Sequence, residues 1–443
     1  MTNQLITAKT LPKTVQTILA AQPVTDMHTH VYSPGFGTPV KNISGFTDPR
    51  GLLLWGIDEV LTYHYLVAEV FRVVPATKLP YEQFWKMPKT AQADHIWQHL
   101  FVERSPVSEA CRGVLTTLNR LGLDPNPGKS GLTKTRKWFA AQTPDKYIDK
   151  VMAVANIQKI TMTNNVFDDN ERDRWLREPQ KLIDPRFSPV LRFDTLLCDW
   201  PTAAQKLSTW GYKVSPTLDH QTKSEIQRFL REWIDRTQAI YCAVSLPPEF
   251  TFPPPNAPTP TAQAGADILA QCILPVLADK GLAFAMMIGC TRGANPALGD
   301  AGDMVGKANV QAVVALCRQF PQNKFLVTML ARDNQHELAV ATRKFGNLML
   351  FGCWWFLNNP SLIEELTRMR MELLGTSFVP QHSDARVLDQ LIYKWEHSRK
   401  IISKVLADKY ADLLATGWKI TPQQIKRDAQ LLLQGNFEEF ISR

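Results

Sequence analysis

The chain has 443 residues, 44% hydrophobic and 21% charged, which supplies apolar mass for a large core and excludes wholesale disorder. Its net charge of +8 comes from scattered lysines and arginines without a dense basic block; this argues against a nucleic-acid binder and suits a small acidic substrate. The seven cysteines are widely spaced, with no C-x-x-C pair, so a cysteine zinc site is disfavoured and a reducing, cytoplasmic setting is expected. The N-terminus lacks an apolar signal core, and no stretch is expected to reach the roughly 20 residues of a membrane span.

Eight short apolar, β-rich runs can be taken in chain order. They are "VTDMH" (24–28), "KITMTNN" (159–165), "PVLRFD" (189–194), "AIYCAVSL" (239–246), "AFAMMIG" (283–289), "KFLVTML" (324–330), "LMLFGCWW" (348–355) and "TSFVPQHSD" (376–384). Most are continuous apolar runs, as parallel strands buried on both faces require. Amphipathic segments such as "QAVVALCRQF" (311–320) and "SLIEELTRMRMELL" (361–374) lie between them. The alternation predicts an α/β fold, a (β/α)8 barrel, with a doubly wound sheet as the alternative. No G-x-G-x-x-G follows any strand.

About 130 residues separate the first two predicted strands, far beyond an ordinary βα connection. They read as helical, so a large helical insertion over the active face is expected. Four parts follow: 1–33 with the first strand, 34–155 as the insertion, 156–405 as the rest of the barrel, and 406–443 as a helical tail. A proline-rich loop, "PPEFTFPPPNAPTPT" (247–261), follows the fourth strand and is either a linker or a rim of the active face.

Barrel enzymes carry their chemistry at the C-terminal strand ends. The first strand ends in His28-Thr-His30; the i, i+2 alternation aims both imidazoles at one place. The eighth ends in His382-Ser-Asp384-Ala-Arg386 and lies beside the first in a closed barrel. Two imidazoles and a carboxylate make a divalent-metal ligand set, His28, His30 and Asp384, with zinc the expected ion. The alternative is a polar mouth that merely caps the barrel. No histidine lies on the fourth or fifth strand, which disfavours a two-metal hydrolytic centre. Arg192 and Arg386 share the same face and suit a carboxylate bidentately, with structural ion pairing, Arg192 to Asp194 for example, as the alternative. His64 and Tyr65 fall mid-helix in the insertion, either as acid and substrate contact or as surface packing. Trp354 and Trp355 end the seventh strand, as sugar-pocket wall or core. Asp333 and His382 read more readily as structural.

Taken together, "DMHTH", "HYLVAEVFR", "VLRFD", "MIGCTRGANP", "LARDN", "WWFLNN" and "SDAR" stand in the order found in uronate isomerases of the amidohydrolase superfamily, and the chain resembles that family from about residue 20 to about 405. The sequence departs from the family at two places: Met287 stands where a histidine is usual on the fifth strand, and Ser245-Leu246-Pro247-Pro248 replaces an S-D-H-G run. The resemblance implies isomerisation of a hexuronate by proton transfer between C2 and C1 through an enediol. It implies Asp384 as the base, Tyr65 assisted by His64 as the proton donor to the oxyanion, Arg192 and Arg386 on the substrate carboxylate and hydroxyls, and Arg332 and Trp355 as further substrate contacts. A metal-dependent hydrolase or decarboxylase of the same superfamily, or a silent barrel that binds a sugar acid, are the alternatives. The expected partner is the small-molecule hexuronate, with no nucleic acid and no membrane; a homo-oligomer is compatible.

Overall fold

Seven of the eight apolar runs form one curled parallel sheet in the computed structural model, which describes residues 6–443 apart from 44, 46, 127, 129, 130 and 257. In chain order the strands are β1 (Val24–Thr29), β2 (Ile157–Asn165), β3 (Phe187–Arg192), β4 (Cys242–Leu246), β5 (Ala283–Ile288), β6 (Cys290–Thr291), β7 (Met304–Val305), β8 (Lys324–Met329) and β9 (Leu348–Leu350). The sheet runs β1-β2-β3-β4-β5-β8-β9, and β6 and β7 make a separate antiparallel ribbon beyond β5.

β5 shows why its sequence lacks alternation. Ala283, Ala285 and Met287 face an inner apolar cluster with Val190, Ala243, Leu326 and Met349. Phe284, Met286 and Ile288 face the outer helices. Both faces are therefore dry, and each large apolar side chain contributes roughly 1.5–3 kcal/mol. The outer helices present matching stripes. The helix Val310–Gln319 buries Val310, Val313, Leu316 and Cys317, a 3.6-residue period.

The segment 376–386, expected as the eighth strand, is not a strand along its length: Val379 alone makes a bridge, to Phe351. Side chains replace the ladder. Gln381 Oε1 accepts from the backbone of Cys353 and of His382, and Asp384 adopts a left-handed φ of 52°. The segment still bonds to both neighbours: Gly352 N donates to Val379 O at 2.8 Å, and His30 N donates to Ala385 O at 2.7 Å.

Between β1 and β2 the chain forms a succession of helices, among them His64–Val73, Glu109–Arg120 and Pro144–Ala155. They are tied to the start of the helix Gln390–Ala415 through Asp389, whose buried carboxylate accepts from Gly56 N at 2.8 Å and from the Tyr147 hydroxyl. Gly113 lets the helix Glu109–Arg120 press onto Tyr393; a Cβ there would lie 2.7 Å from the ring. Two helices bear on the expectations drawn from the sequence, and the second corrects one of them, the absence of a span-length apolar stretch. The helix Gln390–Ala415 runs unbroken through residue 405, because no glycine or proline interrupts it before Gly417, so a tail starting at 406 begins inside it. And Pro260–Lys280 is long and apolar enough to cross a membrane by length and composition. Its apolar residues Ile268, Leu269, Ile273 and Leu277 are buried within the main core.

Candidate active site

The site begins with β1. Among the described residues, His28, His30 and Asp384 offer ligand atoms within 4.8 Å of one another. Asp384 Oδ1 lies 3.6 Å from His28 Nε2 and 3.3 Å from His30 Nε2. His382 packs edge-on against His28, ring centroids 5.4 Å apart. That ring has room only because residue 352 is glycine: a Cβ there would sit 1.7 Å from His382 Nδ1.

His30 and Asp384 are held from behind. Thr163 Oγ1 lies 2.9 Å from His30 Nδ1 and 3.0 Å from the Thr29 carbonyl. If the threonine proton goes to that carbonyl, Nδ1–H of His30 donates to Thr163 and Nε2 turns a lone pair toward Asp384. Asp384 N donates to the His28 carbonyl. Asp26, fully buried, accepts from Ser383 N at 3.1 Å and Trp395 Nε1 at 2.7 Å, and so fixes the residue before Asp384. Burial pushes the Asp26 carboxyl up to about 6.

The electrostatics suit a cation. Burial drives the His28 and His30 imidazoles below their usual range and His382 down to about 4, so all three are neutral near pH 7. Burial alone would raise Asp384, but the close approach of the His30 and His28 imidazoles holds it well below the usual carboxylate range. Both nitrogens of His28 and Asp384 Oδ1 are buried without a hydrogen-bond partner. Orphaned buried groups cost free energy unless something completes them, and two neutral imidazoles with one carboxylate fit a divalent metal ion.

Within the field of Asp384 stand His64 and Tyr65, from a helix between β1 and β2. His64, at the start of its helix, packs edge-on against Tyr65 and against Trp355, at 4.5 and 5.2 Å. Both nitrogens of His64, Tyr65 Oη and Trp355 Nε1 are buried and unpartnered. Burial takes His64 down to about 3 and Tyr65 well above the usual phenol range. Tyr65 is therefore protonated at neutral pH and able to donate. Trp355, like Asp384, has a left-handed φ, 45°, a strained geometry that collects at functional sites.

The arginines divide. Arg192, on β3, donates to both Asp194 oxygens and to Ser245 Oγ at 3.0 Å. Arg386 stands at the mouth and donates to Asp300 at 2.9 Å. Arg332 does not join them: it is exposed and paired with Glu365 at 2.9 Å. Met287 is buried in the inner apolar cluster.

Sequence reasoning passed over several participants. The alternation that pairs His28 with His30 extends back to Asp26. Lys394 is buried with an unpartnered Nζ, 5.1 Å from the centre of the Tyr65 ring. Its signal is a lysine set among Leu391, Trp395, Ser398 and Ile402 on the buried face of a helix. Thr163 and Asp300 carried no signal of their own.

No protein-family profile and no curated protein matches the chain. Solved structures do. A uronate isomerase from Bacillus halodurans is 51% identical, with 99% of this chain and 98% of that one covered and a TM-score of 0.91. A uronate isomerase from Thermotoga maritima, 13% identical, covers 99% and 100% with a TM-score of 0.75. A glucuronate isomerase from Caulobacter crescentus, 15% identical, covers 98% and 94% with a TM-score of 0.74. The last two share the fold.

Proposed function

Since this chain belongs to the uronate isomerase family, we propose that it interconverts an aldose hexuronate, of the glucuronate type, and its ketose. A proton moves between C2 and C1 through an enediol. The observation that carries this reading is the convergence of His28, His30 and Asp384 at one end of the sheet, with the unpartnered Tyr65 and His64 within the field of Asp384. We read the curled sheet and the segment 376–386, bonded to β1 and β9, as a (β/α)8 barrel, with 34–155 as an insertion over its active face.

His28, His30 and Asp384 would hold a divalent ion, zinc by the donor set, and such an ion supplies a Lewis acid for a sugar oxygen. Asp384 takes the proton at C2 and returns it at C1. Tyr65 donates its phenolic proton to the developing oxyanion, with neutral His64 packed on its ring. Arg192, held in place by Asp194 and Ser245, and Arg386 bind the carboxylate and neighbouring hydroxyls; on binding, Arg386 exchanges Asp300 for the substrate. Trp355 forms an apolar wall. The seven free thiols fit a cytoplasmic enzyme.

The test is NMR of the purified protein with D-glucuronate and D-galacturonate in deuterated water, with bound metal measured alongside. The expected result is ketose formation with deuterium at the transferred position and bound divalent metal that is lost from the His28→Ala, His30→Ala double variant. Hydrolysis of an amide or ester with hexuronates untouched would replace this reading by the hydrolase one.

A further inference from the structure

Lys394 occupies an unusual place. Its ammonium sits in the interior, at 1% residue exposure, with no hydrogen-bond partner. An isolated buried cation is costly unless nearby groups compensate it. Two aromatic faces do so in part: Nζ lies 5.1 Å from the centre of the Tyr65 ring and 5.6 Å from that of Tyr393. Burial draws its pKa below the usual lysine range, and the carboxylates that pull the other way, Glu109, Asp384 and Asp26, are not hydrogen-bonded to it. The position is fixed. Lys394 belongs to the long helix Gln390–Ala415, and Tyr393 beside it is wedged on Gly113. Nothing in the packing calls for a charge there; a methionine has the length to fill the same space.

The reaction gives that charge a use. When Tyr65 passes its proton to the substrate oxygen, the O–H bond of the phenol breaks and a new O–H bond forms on the sugar. The electron pair stays on the tyrosine as a phenolate, until the proton returns with product formation. That phenolate would be buried with no hydrogen-bond donor on its oxygen, a setting that disfavours negative charge. We propose that Lys394 is a positioning residue that stabilises the ionised form of Tyr65 from the face of its ring, and so acts on the chemical step without touching substrate. The inference rests on the isomerase reading.

A double-mutant cycle tests it. In the parent, Lys394→Met is expected to lower kcat at least about tenfold while KM stays within about twofold, the pattern of an interaction made only in the transition state. In a Tyr65→Phe background the same change is expected to alter kcat by less than about twofold, since there is no phenolate to stabilise. Equal losses in both backgrounds, or no loss in the parent, would overturn the proposal. If Lys394→Met does not fold, Lys394→Arg and Lys394→Gln separate charge from packing: the arginine variant should outpace the glutamine variant by about the same factor, and equality overturns it. A parent that leaves hexuronates unchanged defeats the isomerase reading itself; an active parent without coupling defeats this inference alone.

Discussion

Around Arg192 the polar groups of β3 and β4 satisfy one another. The guanidinium donates to Asp194 and Ser245, and Asp194 in turn accepts from Ser245 N at 2.9 Å. Around Asp384 the opposite holds: both nitrogens of His28, of His382 and of His64, together with Tyr65 Oη, are buried and have no partner. Both regions line the strand ends, so burial does not separate them. The β3–β4 side has its bonds already made and presents a guanidinium in fixed orientation. The β1 side has its bonds left open, and an open buried donor set is where a ligand is needed to complete the structure.

The comparison breaks most sharply at Asp384. Asp384→Asn keeps the shape and removes the base, so isomerisation and C2 deuterium exchange should fall by about a hundred- to ten-thousandfold while uronate still binds. Retention of more than about a tenth of the rate removes Asp384 as the base. On the satisfied side, Arg192→Met should weaken uronate binding by about a hundredfold or more, since a desolvated charge pair is worth roughly 2–5 kcal/mol. Neutral hexoses should bind nearly as before; equal loss for both would make Arg192 purely structural.

A third measurement sharpens the contrast away from the mouth. Burial raises the Asp389 carboxyl to about 6, so the folded state holds this proton more tightly than the unfolded chain does. Stability should therefore fall as pH rises from about 4 to about 6 and level off above, by about 3 kcal/mol from this group. Asp389→Asn should remove that share of the slope, as read from denaturant midpoints across the interval; an unchanged slope would mean that the group titrates normally. The smallest effect belongs to Arg332. Arg332→Ala breaks an exposed pair with Glu365 and should cost at most about 1 kcal/mol. KM for uronate should not move, and a large rise in KM would bring Arg332 back to the substrate.

The strands were legible because both their faces are dry: an uninterrupted apolar run is what burial on two sides demands, and β5 and β8 display it. The segment 376–386 read as a strand for the same reason, yet Gln381 and Asp384 pull its backbone out of the ladder, an effect that belongs to side-chain bonds and not to hydrophobic pattern. His28 and His30 were legible through local spacing. Lys394 was not, since its meaning lies in a ring that stands more than 300 positions earlier in the chain. Arg332 follows a strand end in sequence, and the turn after β8 carries it outward to Glu365, a placement that spacing along the chain does not convey.

The long excursion between β1 and β2 has a kinetic side. Among the described residues β1 finds its lateral partners in β2, more than a hundred residues onward, and in the 383–385 segment, where Asp26 meets Ser383 across 357 positions. Contacts so remote in sequence are closed late, because the chain entropy of long loops must be overcome before any contact offsets it. β5 and β8, paired across about forty residues, can meet far sooner. β1, which carries His28 and leads directly into His30, is thus expected to dock late. The donor set is then expected to assemble late in folding, and an ion captured there would hold β1 against its neighbours.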